Sequence, residues 1–118
     1  MLKQTRYYPN PFSQKMNFEL LIGFSGTITI SAFNSSGSEV AIIKQKVETG
    51  SHQFAFKPKY PGIYILNASF KSNVHTTKLI CLEANSAHAL IEYVGSTNSP
   101  SVFQSSLKSR VRNDSENF

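Results

Sequence analysis

Apolar and polar residues alternate along most of this chain, in short runs bounded by Gly, Pro, Asn and Ser. Alternation sends successive side chains to opposite faces of an extended backbone, so these runs predict β-strands. Residues 27–33 are the clearest case, with Ile28, Ile30 and Ala32 on one face and hydroxyls on the other. Residues 17–22 place Phe18, Leu20 and Ile22 together, and residues 52–57 do the same with Phe54 and Phe56 before Pro58, which lacks a ladder donor, ends the run. Residues 34–38 (Asn-Ser-Ser-Gly-Ser) suit a hairpin turn into a strand over 39–47, and a second turn follows at 48–51. Residues 63–71 carry apolar groups on both faces, Ile63 and Ile65 against Tyr64, Leu66, Ala68 and Phe70, which predicts a central strand covered on both sides. After the connection at Ser72-Asn73, residues 74–82 close the series. The fold class predicted is all-β, a seven-stranded antiparallel β-sandwich whose strands are joined at hairpin spacing.

Beyond Glu83 the pattern is ambiguous: Ala84, Ala87, Ile91 and Val94 would share a helical face, yet Ala-Leu-Ile-Glu-Tyr-Val also reads as a strand, so an edge strand or short helix is expected there. Residues 1–94 then form the sandwich and 95–118, rich in Ser and Asn and without period, a flexible polar tail. At 118 residues, with 40% apolar and 16% charged residues, the chain suffices for one domain and one core. No apolar run approaches the roughly 18 residues that cross a bilayer as a helix. The first twenty residues carry no apolar stretch of the signal-peptide kind.

Charge adds little in favour of nucleic acid. The net charge is +5, but between Tyr7 and Leu82 the bases are all lysines, scattered singly or in pairs, without an arginine cluster beside stacking aromatics. Lysines on strand edges and loops account for them better. Catalysis is disfavoured as well. His52, His75 and His88 have neither metal-ligand nor catalytic spacing and read as exposed. Cys81, the one cysteine, reads as a buried thiol, and no glycine-rich phosphate loop occurs. No catalytic residue, metal ligand or cofactor is expected.

The opening Tyr8-Pro9-Asn10-Pro11-Phe12 is unusual, because two prolines around an asparagine hold the backbone extended and then turned, offering Tyr8 and Phe12 as anchors at the first strand's edge. It is followed in order by Gly26-Thr27-Ile28-Thr29-Ile30, Phe33-Asn34-Ser35-Ser36-Gly37, Gly50-Ser51-His52-Gln53-Phe54, Pro61-Gly62-Ile63-Tyr64 and Thr77-Lys78-Leu79-Ile80. Over residues 8–82 this order resembles the type A C-terminal sorting domain of the type IX (Por) secretion system of Bacteroidetes. The resemblance implies an Ig-like β-sandwich that serves as an address on a secreted protein. Its partners would be the type IX translocon, outer-membrane shuttle and sortase components. The cargo would be fused on the N-terminal side of a full-length precursor with a signal peptide. The localisation implied is secreted or cell-surface, reached through the periplasm and outer membrane.

Carried over, the recognition and structural positions are Tyr8, Pro9, Asn10, Pro11, Gly37, Gly50, Pro61, Gly62, Tyr64, Lys78, Leu79 and Ile80. Two features depart from the family pattern: the chain runs on from Leu82 to Phe118, and Cys81 stands where a basic or apolar residue is more usual. Physically, Gly37 and Gly50 suit turns at positive φ, Tyr64 can bury its ring and satisfy its hydroxyl at a strand edge, and Lys78 could meet an acidic receptor surface. The alternative is an Ig-like adhesion or assembly module binding protein or carbohydrate, the latter through Tyr7, Tyr8, Tyr60 and Tyr64.

Overall fold

The computed structural model describes residues 2–96, with side chains from Pro9 onward. The strands are β1 (Leu2–Tyr8), β2 (Phe12–Ser13), β3 (Met16–Ile22), β4 (Gly26–Phe33), β5 (Glu39–Val47), β6 (Gly50–Lys57), β7 (Gly62–Phe70), β8 (Asn73–Glu83) and β9 (Leu90–Ser96). They form a four-stranded sheet in the order β1-β3-β6-β9 and a five-stranded sheet in the order β2-β8-β7-β4-β5. All strand pairs are antiparallel except β2 with β8.

This order is Ig-like: β1, β3 and β6 match the A, B and E strands of one sheet, and β4, β7 and β8 match C, F and G of the other. β9 lies beyond β6, the place of the fourth strand in that first sheet, while β5 has joined β4 in the second. Among the described residues nine strands take the place of the seven expected from sequence. Three lie outside the six runs read as strands: β1 and β9 have mixed or ambiguous patterns, and β2 is only two residues long. Helical spacing at the end is overruled, because Ile91 is buried beside Phe56 while Val94 faces solvent, as period two requires. The expected tail begins within β9 at Gly95 and Ser96, and residues 97–118 lie outside the described residues.

Hairpin connections are fewer than the spacing suggested. β4–β5 and β7–β8 are hairpins, whereas the chain changes sheets after β1, β2, β3, β5, β6 and β8. At two of these corners the Thr49 hydroxyl donates to the Gly23 carbonyl at 3.3 Å, tying one crossing to the other.

Between the sheets, Phe18, Leu20, Phe54 and Phe56 meet Ile28, Ile30, Leu66, Phe70 and Leu79, and each is essentially inaccessible to solvent. Phe18 stacks on Phe54 with ring centres 5.5 Å apart, and Phe56 meets Tyr64 edge-on at 5.3 Å. Phe12, an expected edge anchor, is instead a core residue 6.3 Å from Phe56.

His52 corrects the expectation of exposed histidines, being only 3% exposed. Its Nε2 lies 2.6 Å from the Glu48 carbonyl, which can only accept, so Nε2 carries the proton. Its Nδ1 is paired with the Tyr93 hydroxyl at 2.9 Å. Burial is tolerated because both nitrogens are satisfied.

Candidate functional site

Asn10 links the two ends of the motif series. Its Nδ2 donates to the Lys78 carbonyl at 3.1 Å, and its Oδ1 accepts from the Ile80 amide at 3.1 Å. One side-chain amide thus occupies two backbone positions on the edge of β8, as a neighbouring strand would. The two flanking prolines hold it there; the Asn10–Pro11 peptide is cis. Immediately after it, Phe12 pairs in parallel with Cys81, and Gln14 N–H donates to the Glu83 carbonyl at 2.7 Å. A short strand and one amide therefore close the β8 edge.

On the other side of β8, Gly62 pairs with Cys81, Ile63 with Ile80 and Ile65 with Lys78. Ile65 pairs in turn with Phe33 of β4. These registers lay Ile80 and Ile63, then Lys78, Ile65 and Phe33, across the outer face of the five-stranded sheet as two adjacent rows. The next rows are mostly polar, each with one exposed apolar residue at its edge: Thr76, Asn67 and Ser31 with Ile42, then Val74 with Ser69, Thr29 and Lys44. The apolar rows border a groove of about 590 Å³ lined by Phe33, Ile63, Ile65, Asn67, Lys78 and the turn at Asn34, Ser35 and Gly37.

The expectation that β7 is covered on both faces is therefore corrected. β7 is central in its sheet, but nothing among the described residues lies over its outer face, and Ile63 is 45% exposed. A run apolar on both faces reads as buried, and here one of those faces is open.

The groove's turn is rigid. The Asn34 carboxamide oxygen accepts from the Ser36 and Ser38 amides at 3.1 and 3.0 Å and from the Ser36 hydroxyl at 2.8 Å. Gly37 adopts φ 89°, which a side chain would strain. Pro61 and Gly62 lie at the same end of the sandwich, beside an adjoining cleft that includes exposed Tyr60.

Tyr64 points inward, not to a strand edge, and its hydroxyl donates to the Tyr60 carbonyl at 2.6 Å across the β6–β7 corner. This is the tyrosine corner of Ig-like sandwiches. Burial raises its pKa above the ordinary 10.0, Cys81 adds to the rise, and the bond to Tyr60 opposes it. The sugar-stacking platform is not formed, since Tyr64 is inside; the side chains of Tyr7 and Tyr8 lie outside the described residues.

Of the sequence-selected positions, Asn10, Gly37, Pro61, Gly62, Lys78 and Ile80 gather around this face and its upper end. Pro9 and Pro11 are exposed and frame Asn10. Leu79 is fully buried, and Tyr8, at the end of β1, pairs through its backbone with Asn17 of β3. Gly50, at φ 134°, pairs with Ile22 at the opposite end. Sequence reasoning left out Phe33, Ile65 and Asn67. The available signal was the outward parity of Phe33 and Ile65 on strands whose opposite positions are plainly core.

Among the described residues no group of three or more His, Cys, Asp and Glu could hold a metal ion, and no helix is long and apolar enough to cross a membrane. Cys81 is buried, its Sγ 3.0 Å from the Glu83 carbonyl, and burial pushes its pKa up, away from thiolate reactivity.

The family model of the secretion system C-terminal sorting domain matches residues 6–82, about two-thirds of the chain. The chain belongs to this family. Within the sorting domain, the match begins in β1, takes in the Asn10 clamp and ends in β8, so β9 falls outside it. No curated protein and no solved structure matches the chain. Membership carries a sorting-signal role in type IX secretion and an interaction with that machinery.

Proposed function

We propose that this sorting domain is a non-catalytic address that directs a protein fused on its N-terminal side through the type IX secretion system, for release or attachment at the cell surface. The observation that carries the reading is the family match from β1 to β8. It is supported by the geometry. Asn10 joins the opening motif to the closing strand, and a rigid face bearing Pro61, Gly62, Lys78 and Ile80 stands open beside that junction. The translocon, outer-membrane shuttle and sortase are the partners this reading names, and they act on the domain as a folded object.

The test is export of a fluorescent cargo placed between a signal peptide and the full 118-residue chain. Cargo should appear outside type IX-competent cells and remain in the periplasm of the same strain without the translocon. Periplasmic retention in both strains would refute the reading.

A further inference from the structure

We infer that the outer face of the five-stranded sheet, centred on Ile63, Ile65 and Lys78, docks onto a protein partner that presents an apolar patch bordered by carboxylates. This inference rests on the sorting-signal reading above and assigns that reading a surface.

Ile63 and Ile80 are 45% and 37% exposed, and with Ile65 and Phe33 they form adjoining apolar rows. Ile63 and Ile65 stand on β7, which pairs with β8 and β4 on its two sides, Phe33 stands on β4, and Ile80 stands on β8, whose edge Asn10 fixes at Lys78 and Ile80. Such a patch is preorganised, so little ordering is lost when it is covered. Apolar side chains clustered on a rigid sheet and rimmed by polar groups mark a contact surface.

Charge selects the occupant. Lys78 stands within the apolar rows and Lys44 and Lys46 lie farther across the same face, all exposed and none in a salt bridge among the described residues. The nearest carboxylate in register on that face is Glu39, opposite Phe33. A two-fold contact between copies centred here would set Lys78 against its own equivalent with few acids to offset it. A partner carrying carboxylates around an apolar centre meets both needs, steering the encounter and covering the isoleucines.

The experiment uses the full chain behind the signal peptide and fluorescent cargo in type IX-competent cells, with Ile63→Asp, Lys78→Glu and Lys78→Arg. Lys57→Glu places an equal charge change on the opposite sheet. Each purified domain is melted to establish that it folds as the parent does. Export should fall roughly tenfold or more for Ile63→Asp and Lys78→Glu and persist for Lys78→Arg and Lys57→Glu. If Ile63→Asp lowers the melting temperature, Ile63→Ser and Lys78→Glu decide. Parent-level export by folded Ile63 and Lys78→Glu variants overturns the docking face and leaves the sorting reading intact. Equal loss from Lys57→Glu also overturns it. Failure of the parent itself to be exported defeats the sorting reading, and the docking face falls with it.

Discussion

The two sheets share one core but solve their solvent faces in opposite ways. On the four-stranded sheet the polar groups serve one another. Glu19 accepts from the Ser51 hydroxyl and from Gln53 Nε2, and Lys57 lies 3.0 Å from Glu92. On the five-stranded sheet the Thr76 hydroxyl donates to Asn67 Oδ1 at 2.8 Å. Most other outward positions there are isoleucines, a valine, a phenylalanine, hydroxyls and lysines that make no salt bridge among the described residues. Alternation in β3, β4 and β7 fills one core from both sheets, and that core dictates neither outer face in particular. A face whose charges are already paired gains little from a partner, whereas one with uncovered apolar groups beside free cations gains both area and charge compensation.

The largest effects come from removing core side chains of either sheet, set against one on the open face of the five-stranded sheet. Phe56→Ala should cost about 3–5 kcal/mol and Ile30→Ala about 2–5 kcal/mol in urea unfolding, since both residues are fully buried. Ile63→Ala should change stability by less than about 0.5 kcal/mol, because its face is open. A cost for Ile63→Ala near that of Ile30→Ala would mean that the outer face is packed.

A smaller effect is expected at the clamp. Asn10→Ala removes two hydrogen bonds from an exposed edge and should cost about 1–2 kcal/mol. It should also speed amide exchange at Ile80 while leaving Leu79, which faces Tyr64 in the ladder to β7, slow. Unchanged exchange at Ile80 would show that the amide does not hold that edge.

The smallest effect is alkaline. Tyr93 is raised above the ordinary 10.0 by burial first and the Glu48 carboxylate second, Tyr64 by burial and Cys81, and Cys81 above 9.0 by burial. The unfolded chain therefore releases these protons before the folded one does. Their contribution is fully present below about pH 9 and declines as pH rises through the ordinary values towards the folded ones. Melting temperature should fall from pH 9 to 11, less steeply in Tyr93→Phe. That variant should also start lower at neutral pH, because His52 loses a partner. An identical slope in parent and variant would contradict the assignment.

Much of the fold was legible because burial imposes period two. The cores of β3, β4 and β6 follow directly from Phe18, Leu20, Ile28, Ile30, Phe54 and Phe56. What escaped depended on partners distant in sequence. Nothing local indicates that Asn10 will bond residues 68 and 70 positions away, or that Tyr93 and the Glu48 carbonyl will make a buried place for His52. β9 was ambiguous until the edge of β6 supplied the ladder it completes. The candidate face was obscured by its own composition, since Ile63 and Ile65 look like core when no covering layer can be checked. Most of the motif positions lie at the end of the sandwich where the candidate face stands, but Gly50 is at the other end, and Leu79 and Tyr64 lie inside.

The most direct measurement is site-specific photo-crosslinking during export, with the reactive amino acid at position 65 in one strain and at position 92, on the opposite sheet, in another. The account predicts an adduct with a type IX component, identified by mass spectrometry, from position 65 and none from position 92. An adduct from position 92 alone, with cargo still reaching the cell exterior, would contradict it.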